Sequence, residues 1–342
     1  MKKLSFFDST LRDGSHAIAH QLDEEVIIGY SSKINNSGVE VVIVGHGNGL
    51  GASSLQVGLS KLPDQEMLRF AKKELKNTKL GVFLIPGFGT IKDDLKPALE
   101  LGVDLVCVAS HCTEADITRQ HIEYIRRCGK EAYGVLMMYH MTTKERILEE
   151  ALKMQSYGAM GVILMDSAGA STPSMVNDTI KILVRNLDIP VGLHAHNNLG
   201  MAVANSYIAI EAGATIIDGT LRGFGAGAGN CSLEVLAALL QKEGINSDLN
   251  LYQLMDASEY VASSMMKKPQ EISSISIASG MAGVFSAFER PVKIYAEAYG
   301  VDPREIFREL GERKILAGQE DFIVEVAMNL AKRKIEGEFL SF

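Results

Sequence analysis

Residues 191–196 read Val-Gly-Leu-His-Ala-His, a short apolar run that ends in two histidines. An apolar run of this length without polar alternation is typical of a strand that is buried on both faces, as strands of parallel sheets are. Amphipathic stretches with helical spacing separate this run from others like it, which predicts βαβ units. Eight such runs occur along the chain, at residues 4–7, 39–45, 79–86, 105–110, 132–139, 161–166, 191–196 and 215–221.

This alternation predicts a closed (β/α)8 barrel, the TIM-barrel fold. Eight units within about 220 residues match the spacing of that fold. A doubly wound open sheet is the structural alternative, but polar residues follow nearly every predicted strand, as expected when a ring of loops forms one site. The strand pattern fades from about residue 250, where helical patterns take over. We therefore expect a barrel catalytic domain over residues 1–249 and a helical C-terminal domain over residues 250–342.

The composition excludes several classes of function. The chain carries 34 Lys and Arg against 42 Asp and Glu, a net charge of −8, whereas a general nucleic-acid binder needs a basic surface. No apolar run reaches the roughly 18 to 20 residues of a membrane span. Asp8 and Arg12 interrupt the apolar start of the chain, which argues against a signal peptide. Four cysteines without zinc-site or disulfide spacing are typical of a reducing compartment, so we expect a cytoplasmic protein.

Histidines gather at the predicted carboxyl ends of the strands, where barrels place their catalytic groups. Side chains two residues apart on a strand point to the same face, so His194 and His196 can chelate one divalent cation. Asp13 follows the first strand, which in a closed barrel can lie near the seventh. One carboxylate and two imidazoles leave positions open for an oxygen substrate and suit Mn²⁺, Mg²⁺, Co²⁺ or Fe²⁺. Seven of the eight histidines lie at strand ends: His16, His20, His46, His111, His140, His194 and His196.

Two further patterns narrow the chemistry. No lysine stands at the carboxyl end of a predicted strand, which argues against a Schiff-base mechanism inside the barrel; enolate chemistry would then need a metal ion. The glycine-rich segment 223–229 follows the eighth strand, where barrels often hold a phosphate, but it lacks the dinucleotide-binding spacing. Two interpretations stay open for it, a phosphate cradle or a tight turn that brings Asn230 toward the site.

Three motifs carry a resemblance to a known superfamily: Asp8-Ser-Thr-Leu-Arg-Asp-Gly14, His194-Ala-His196 and Gly225-Ala-Gly-Ala-Gly-Asn230. Together they resemble the metal-dependent (β/α)8-barrel lyases and condensing enzymes, which include hydroxymethylglutaryl-CoA lyase and isopropylmalate synthase. Further motifs, which extend over almost the whole chain, are similar to those of the 4-hydroxy-2-oxovalerate aldolase family. They are Arg12-Asp-Gly-Ser-His-Ala-Ile-Ala-His-Gln21, Gly45-His-Gly-Asn-Gly-Leu50, His111-Cys-Thr-Glu-Ala-Asp116, Met137-Met-Tyr-His-Met141 and Gly318-Gln-Glu-Asp321.

The resemblance implies a divalent-metal-dependent aldolase. Such an enzyme would cleave 4-hydroxy-2-oxopentanoate, or a related 4-hydroxy-2-oxo acid, to pyruvate and acetaldehyde or another aldehyde through a metal-stabilised pyruvate enolate. Asp13, His194 and His196 would bind the metal, most often Mn²⁺ in this family, with Mg²⁺ or Co²⁺ as alternatives. Substrate chelated by the cation would lie against His194.

The resemblance also implies roles for other residues. Arg12 would bind substrate and stabilise the enolate oxygen, His16 would be the general base that takes the C4-hydroxyl proton, and Ser167 would hold the substrate carboxylate or keto group. The family usually has tyrosine at the position of Phe285 and serine at that of Tyr139. A phenylalanine cannot donate a hydrogen bond, so we expect the Tyr139 hydroxyl to replace the missing phenol from the opposite wall, with Phe285 still lining the substrate site.

The chief alternative is an acyl-CoA-dependent lyase or condensing synthase on the same scaffold, against which the aldolase-like C-terminal segment argues. A non-catalytic subunit is a third hypothesis, favoured only by Phe285. The resemblance further implies an oligomer, a role in the catabolism of aromatic hydrocarbons, and association with an acylating acetaldehyde dehydrogenase through the C-terminal region.

Overall fold

The computed structural model describes residues 3–336. Its eight strands form a closed parallel barrel in chain order, with β8 paired to β1. The predicted TIM barrel is therefore confirmed. The strands are β1 (Ser5–Asp8), β2 (Val41–Ile43), β3 (Lys79–Leu84), β4 (Leu105–His111), β5 (Glu131–Met137), β6 (Val162–Asp166), β7 (Val191–Ala195) and β8 (Ile216–Gly219).

Helices alternate with the strands and then continue alone to the end of the described chain. The α-helices are α1 (Gly14–Ala17), α2 (Glu24–Ile34), α3 (Asp64–Glu74), α4 (Lys96–Glu100), α5 (Arg119–Arg127), α6 (Lys144–Ser156), α7 (Pro173–Asn186), α8 (Ala202–Glu211), α9 (Leu233–Lys242), α10 (Leu251–Ser264), α11 (Ser274–Ala282), α12 (Glu289–Tyr299), α13 (Pro303–Glu312) and α14 (Asp321–Ile335). None of those between residues 3 and 336 has the length and apolar character needed to cross a bilayer.

The strands divide their side chains between two apolar layers, because successive residues of a strand point to opposite faces. In β7, Val191, Leu193 and Ala195 pack outward in the main hydrophobic core. The smaller cluster inside the barrel is built from the other face of the strands other than β7 and includes Phe7 and Ile163. His194 therefore lies on the inward face of β7, and the barrel presents it to its own interior.

The helical C-terminal region has a core of its own. Val284, Phe288 and Phe307 belong to a second buried cluster formed mainly by α11 to α14. Helix α10 differs, since its buried Leu254 and Val261 join the barrel core. We therefore propose that the catalytic unit extends through α10, beyond the boundary expected between residues 249 and 250.

Candidate metal centre

Asp13, His194 and His196 lie together at the carboxyl end of the barrel. Each is buried, and one ligand atom from each lies within 4.8 Å of the others. His196 Nε2 is 3.9 Å from Asp13 Oδ1. Ligands that share a cation at bond lengths of about 2.1 Å lie about 3 to 4 Å apart, so the cluster has the dimensions of a divalent-metal site.

Electrostatics prepare these side chains to act as ligands. Burial opposes ionisation of Asp13, but the Arg12 guanidinium and then the His196 imidazole outweigh it and hold the pKa of Asp13 below its usual range. Burial lowers the pKa of His196 to about 4, against the opposing effect of Asp13. Both ring nitrogens of His194 are buried, and neither makes a hydrogen bond among the described residues. An ionised carboxylate and unpartnered imidazole nitrogens fit a divalent cation.

The glycine-rich segment after β8 closes on Asp13. The backbone at His196 pairs with that at Asn230, and Asn230 Nδ2 donates to Asp13 Oδ2 at 2.6 Å. The backbone N–H of Ala226 donates to the same oxygen at 3.1 Å. A Cβ at position 225 would collide with both Asn230 and Asp13, so this turn requires glycine. Of the two interpretations of the segment, the structure favours the turn that brings Asn230 to the site.

Asp218 and Ser9 form a network behind His194 that the sequence analysis missed. Strand register places His194 opposite Asp218 on β8, and His194 Nδ1 lies 2.9 Å from Asp218 Oδ2. Ser9 Oγ donates to the other carboxylate oxygen at 2.8 Å. The contact between Nδ1 and Oδ2 has the distance but not the angle of a hydrogen bond, and carboxylates in this position behind metal-binding histidines commonly orient the ring. The inward position of Asp218 on its strand was the available signal.

Arg12 is buried beside the metal cluster, at the place that the sequence motifs predicted for it. Its Nη1 atom donates to Asp13 Oδ1 at 2.8 Å and to the Gly47 carbonyl at 3.3 Å. The guanidinium lies 4.7 Å from the centroid of the Phe83 ring, a cation–π contact. Within residues 3–336, its Nε atom has no hydrogen-bond partner. One edge of the guanidinium is thus fixed while a donor remains for another group.

His16 and Phe285 also meet at the mouth of the barrel. Their ring centroids are 6.4 Å apart at an interplanar angle of 88°, an edge-to-face contact. The imidazole of His16 packs directly over the backbone of Gly47. Burial lowers the pKa of His16 to about 3, against the opposing effect of Asp13, so the ring is neutral near pH 7.

Two more histidines support this wall of the site, although the sequence analysis gave them no individual role. The rings of His20 and His46 stack with centroids 3.6 Å apart. His46 Nδ1 accepts from the backbone N–H of Asn48 at 3.0 Å, and Nε2 donates to the Gly58 carbonyl at 3.0 Å. These bonds define a neutral tautomer, so the stack carries no like-charge repulsion.

Ser167 lies at the end of β6 and is fully buried. Its hydroxyl accepts from the backbone N–H of Met138 at 3.2 Å and donates to the Met165 carbonyl at 3.4 Å. Its own carbonyl accepts from the Ser286 N–H at 2.9 Å. The structure thus uses Ser167 to hold three segments together, and a substrate contact by its hydroxyl stays a prediction.

The structure does not bring Tyr139 to the site, contrary to our expectation. Tyr133 and Val135 face the barrel interior, and simple alternation would place Tyr139 there too. Met138 instead adopts a left-handed conformation with φ 55°, which breaks the alternation. Tyr139 packs in the layer between strands and helices, where burial, reinforced by the Asp166 carboxylate, raises its pKa. This placement argues against a role for its hydroxyl in place of the missing phenol.

A cavity of about 1350 Å³ opens over this end of the barrel. Its lining includes His16 and Asn48 from the barrel, and Phe285, Arg290 and Tyr295 from the C-terminal region. The C-terminal helices and His16 therefore line the same cavity.

Comparison with known proteins first defines the class to which the fold and the site belong. The HMGL-like family profile matches residues 3–261, and the profile of the DmpG-like communication domain matches residues 270–332. The chain resembles the carboxyl transferase domain of Rhizobium etli pyruvate carboxylase, with a TM-score of 0.81, 15% identity and coverage of 97% of this chain and 61% of that one. It also resembles Bacillus subtilis HMG-CoA lyase, with a TM-score of 0.68, 20% identity and coverage of 79% and 96%. These likenesses show the barrel fold.

Curated relatives then define the family. A 4-hydroxy-2-oxovalerate aldolase of Pectobacterium atrosepticum is 54% identical over 97% of both chains. Proteins of the same name from Salinispora arenicola and Spirochaeta aurantia are each 53% identical, and the matches cover 96% and 95% of this chain and 94% and 96% of theirs. The chain therefore belongs to the 4-hydroxy-2-oxovalerate aldolase family, as its sequence motifs indicated.

Proposed function

We propose that this chain is a divalent-metal-dependent aldolase that cleaves 4-hydroxy-2-oxopentanoate, or a related 4-hydroxy-2-oxo acid, to pyruvate and an aldehyde. The observation that carries this proposal is the buried cluster of Asp13, His194 and His196 in a chain whose relatives are named for that reaction. We propose Mn²⁺ as the cation, with Mg²⁺ or Co²⁺ as alternatives, because a mixed carboxylate and imidazole ligand set accommodates these ions.

Arg12 is the residue that we propose binds the enolate oxygen. Asp13 and the Gly47 carbonyl already orient its guanidinium, so little reorganisation is needed when negative charge develops on the substrate. Burial at 2% exposure strengthens such an interaction, because water does not screen it. A bound cation would supply Lewis-acid polarisation of the 2-keto group and would share the enolate charge.

His16 is the general base in this proposal. It borders the cavity and is neutral near pH 7, so it can accept the proton of the C4 hydroxyl. The electron pair of that O–H bond then forms the aldehyde carbonyl as the C3–C4 bond breaks. Phe285 adds an apolar wall beside the base and donates no hydrogen bond to substrate.

Cleavage of 4-hydroxy-2-oxopentanoate tests the proposal, with pyruvate detected through NADH oxidation by lactate dehydrogenase. We expect activity to disappear with EDTA and to return with excess Mn²⁺, and we expect Asp13→Asn to be inactive. Asp256→Asn, at an exposed position on α10, is the matched control and should keep full activity. Pyruvate formation that survives complete metal removal would contradict the proposal. Release of free thiol from acetyl-CoA with a 2-oxo acid would instead support the acyl-CoA-dependent alternative.

We further propose that residues 270–332 contact an acylating acetaldehyde dehydrogenase. The communication-domain profile covers that stretch, and the same stretch lines the cavity through Phe285, Arg290 and Tyr295. An aldehyde released beside this region would leave close to such a partner. Co-elution of the two purified proteins in size-exclusion chromatography tests the contact, and separate elution at micromolar concentrations would argue against a stable complex.

A further inference from the structure

Asn198 connects the metal-binding strand to the C-terminal region. It lies two residues after His196 and is fully buried. Its Nδ2 atom donates to Ser286 Oγ at 3.1 Å and to Ser279 Oγ at 3.3 Å. Its Oδ1 atom accepts from the backbone N–H of Ala228 at 3.1 Å. Both N–H donors and the carbonyl of this side chain are thus used, and they join the loops after β7 and β8 to the region around α11.

Three glycines make room for this side chain. A Cβ at Gly169 would lie 2.7 Å from the backbone nitrogen of Asn198, and one at Gly227 would lie 2.7 Å from its Oδ1. A Cβ at Gly280 would lie 3.2 Å from Asn198 Cβ. These glycines belong to the loop after β6, the loop after β8 and helix α11. The fold is therefore built closely around Asn198 from three directions.

The hydrogen bonds of Asn198 fix the segment that carries Phe285. Ser286, directly after Phe285, also donates its N–H to the Ser167 carbonyl at 2.9 Å. On the other side, Ser279 Oγ donates to the carbonyl of Val284 at 2.9 Å. Phe285 is thereby held between two anchored neighbours. Its ring contacts His16 edge to face, and the orientation of that contact depends on the backbone at 284–286.

We propose that Asn198 is a positioning residue that holds Phe285 against His16. The Phe285 ring then shields the imidazole on the side that faces the C-terminal region. The importance of this contact for catalysis rests on the proposed function, in which His16 is the base, but the contact itself does not. Without the amide of Asn198, Ser279 and Ser286 lose their shared donor and the 284–286 segment loosens. The imidazole of His16 then becomes more accessible to water and to reagents.

Chemical modification of His16 tests this positioning without requiring activity. Diethyl pyrocarbonate acylates accessible neutral imidazoles, and the tryptic peptide 13–33 contains only His16 and His20, which fragment-ion mass spectrometry distinguishes. We expect Asn198→Ala to raise the modification rate of His16 about fivefold or more, since loosening one anchored segment exposes its neighbour. Asn205→Ala is the matched control, because Asn205 is equally buried but donates to the Ser171 carbonyl instead.

A second variant guards against misfolding of the first. Ser279→Ala combined with Ser286→Ala removes both acceptors and leaves Asn198 in place, and it should also raise the His16 modification rate. An unchanged His16 modification rate in folded Asn198→Ala and in the folded Ser279→Ala, Ser286→Ala double variant, or an equal increase in Asn205→Ala, would overturn the proposal. If the unsubstituted protein, before any treatment with the reagent, fails to cleave the oxo acid, the proposed function is wrong. The rates of His16 modification still decide the role of Asn198 in that case.

Kinetics add a measurement that a merely structural role would not affect. Because Asn198 acts through Phe285, adding Asn198→Ala to a Phe285→Ala variant should lower kcat little further than Phe285→Ala alone does. We expect the single Asn198→Ala variant to lower kcat about tenfold through misplacement of the base, with metal content unchanged. Fully multiplicative losses in the double variant would contradict the proposed path through Phe285.

Discussion

Alanine at position 47 would place a methyl group against the imidazole of the proposed base. The added Cβ would lie 2.5 Å from His16 Cδ2 and 2.6 Å from Cε1, under the plane of the ring. Gly47 does not occupy the left-handed region of backbone conformation, so the substitution brings no backbone strain. The atoms that the new Cβ meets are those of the His16 ring, so Gly47→Ala tests the position of that ring. The Gly47 carbonyl also accepts from Arg12, and the metal and substrate affinities of the variant report any shift of that group.

The displacement can be estimated from these contacts. Ordinary van der Waals contact begins at 3.4 Å, so the ring must withdraw by about 1 Å from its present place. Misplacement of a catalytic group by about 1 Å commonly costs on the order of 100-fold in rate. That loss corresponds to about 2.7 kcal/mol of transition-state stabilisation, at about 1.36 kcal/mol for each factor of ten. We expect it in kcat/KM for cleavage of 4-hydroxy-2-oxopentanoate.

The assay is coupled pyruvate formation with saturating Mn²⁺, together with metal analysis of each variant. Gly29→Ala is the control, because the new methyl group on α2 meets the hydroxyl end of Tyr260 from α10, a contact that involves none of the residues of the site. We expect the control to keep kcat/KM within about twofold, since the overlap falls between two outer helices and not on the His16 ring. A Gly47→Ala variant with normal metal content and unchanged kcat/KM would refute the assignment of His16 as the base.

Two other substitutions test the surroundings of the site. Asp218→Asn should weaken metal binding about 10- to 100-fold, because it removes the carboxylate behind His194; competition with a fluorescent chelator measures this, and an unchanged Kd would count against that role. Burial raises the pKa of Asp8 to about 6, against hydrogen bonds from Thr10 and Tyr30 that lower it. Between about pH 4 and pH 6 the folded chain therefore holds a proton that the unfolded chain has lost, so the free energy of unfolding should fall as the pH rises through this range. Asp8→Asn should remove that slope, which is worth about 3 kcal/mol for two pKa units; urea unfolding at several pH values tests this, and an equally steep slope in the variant would contradict it.

The barrel and its metal cluster could be predicted from the sequence because both depend on local periodicity. A run that is apolar on both faces identifies a parallel strand, and a two-residue spacing places His194 and His196 on one face. Closure of the barrel then brings the loop after β1 beside β7, which accounts for Asp13. Asp218 was accessible by the same reasoning, since it lies opposite His194 in the register.

Tyr139 marks the limit of that reasoning. Its assignment to the site came from its exchange together with Phe285 relative to the family and from its place near the end of the fifth strand. The left-handed conformation of Met138 turns the chain one residue earlier, so Tyr139 does not follow the inward alternation of β5. A non-glycine residue with positive φ is uncommon, and no local signal in the sequence announces it. Helix α10 shows a similar limit, because an amphipathic pattern shows which face is buried but not which of two cores buries it.

The division between the two cores separates two properties of the site. The proposed ligands Asp13 and His194, and Asp218 behind them, all belong to the barrel, whereas the ring that contacts His16 belongs to the C-terminal core. Substitutions in the Phe285 segment should therefore change kcat while the metal Kd stays constant, and substitutions at Asp218 should change the Kd first. Asn198 lies between the two groups, since its backbone follows β7 and its amide binds Ser286. A movement of the C-terminal helices would thus reach His16 directly through Phe285, whereas Asn198 would transmit it to the loop after β7 that carries the proposed ligand His196.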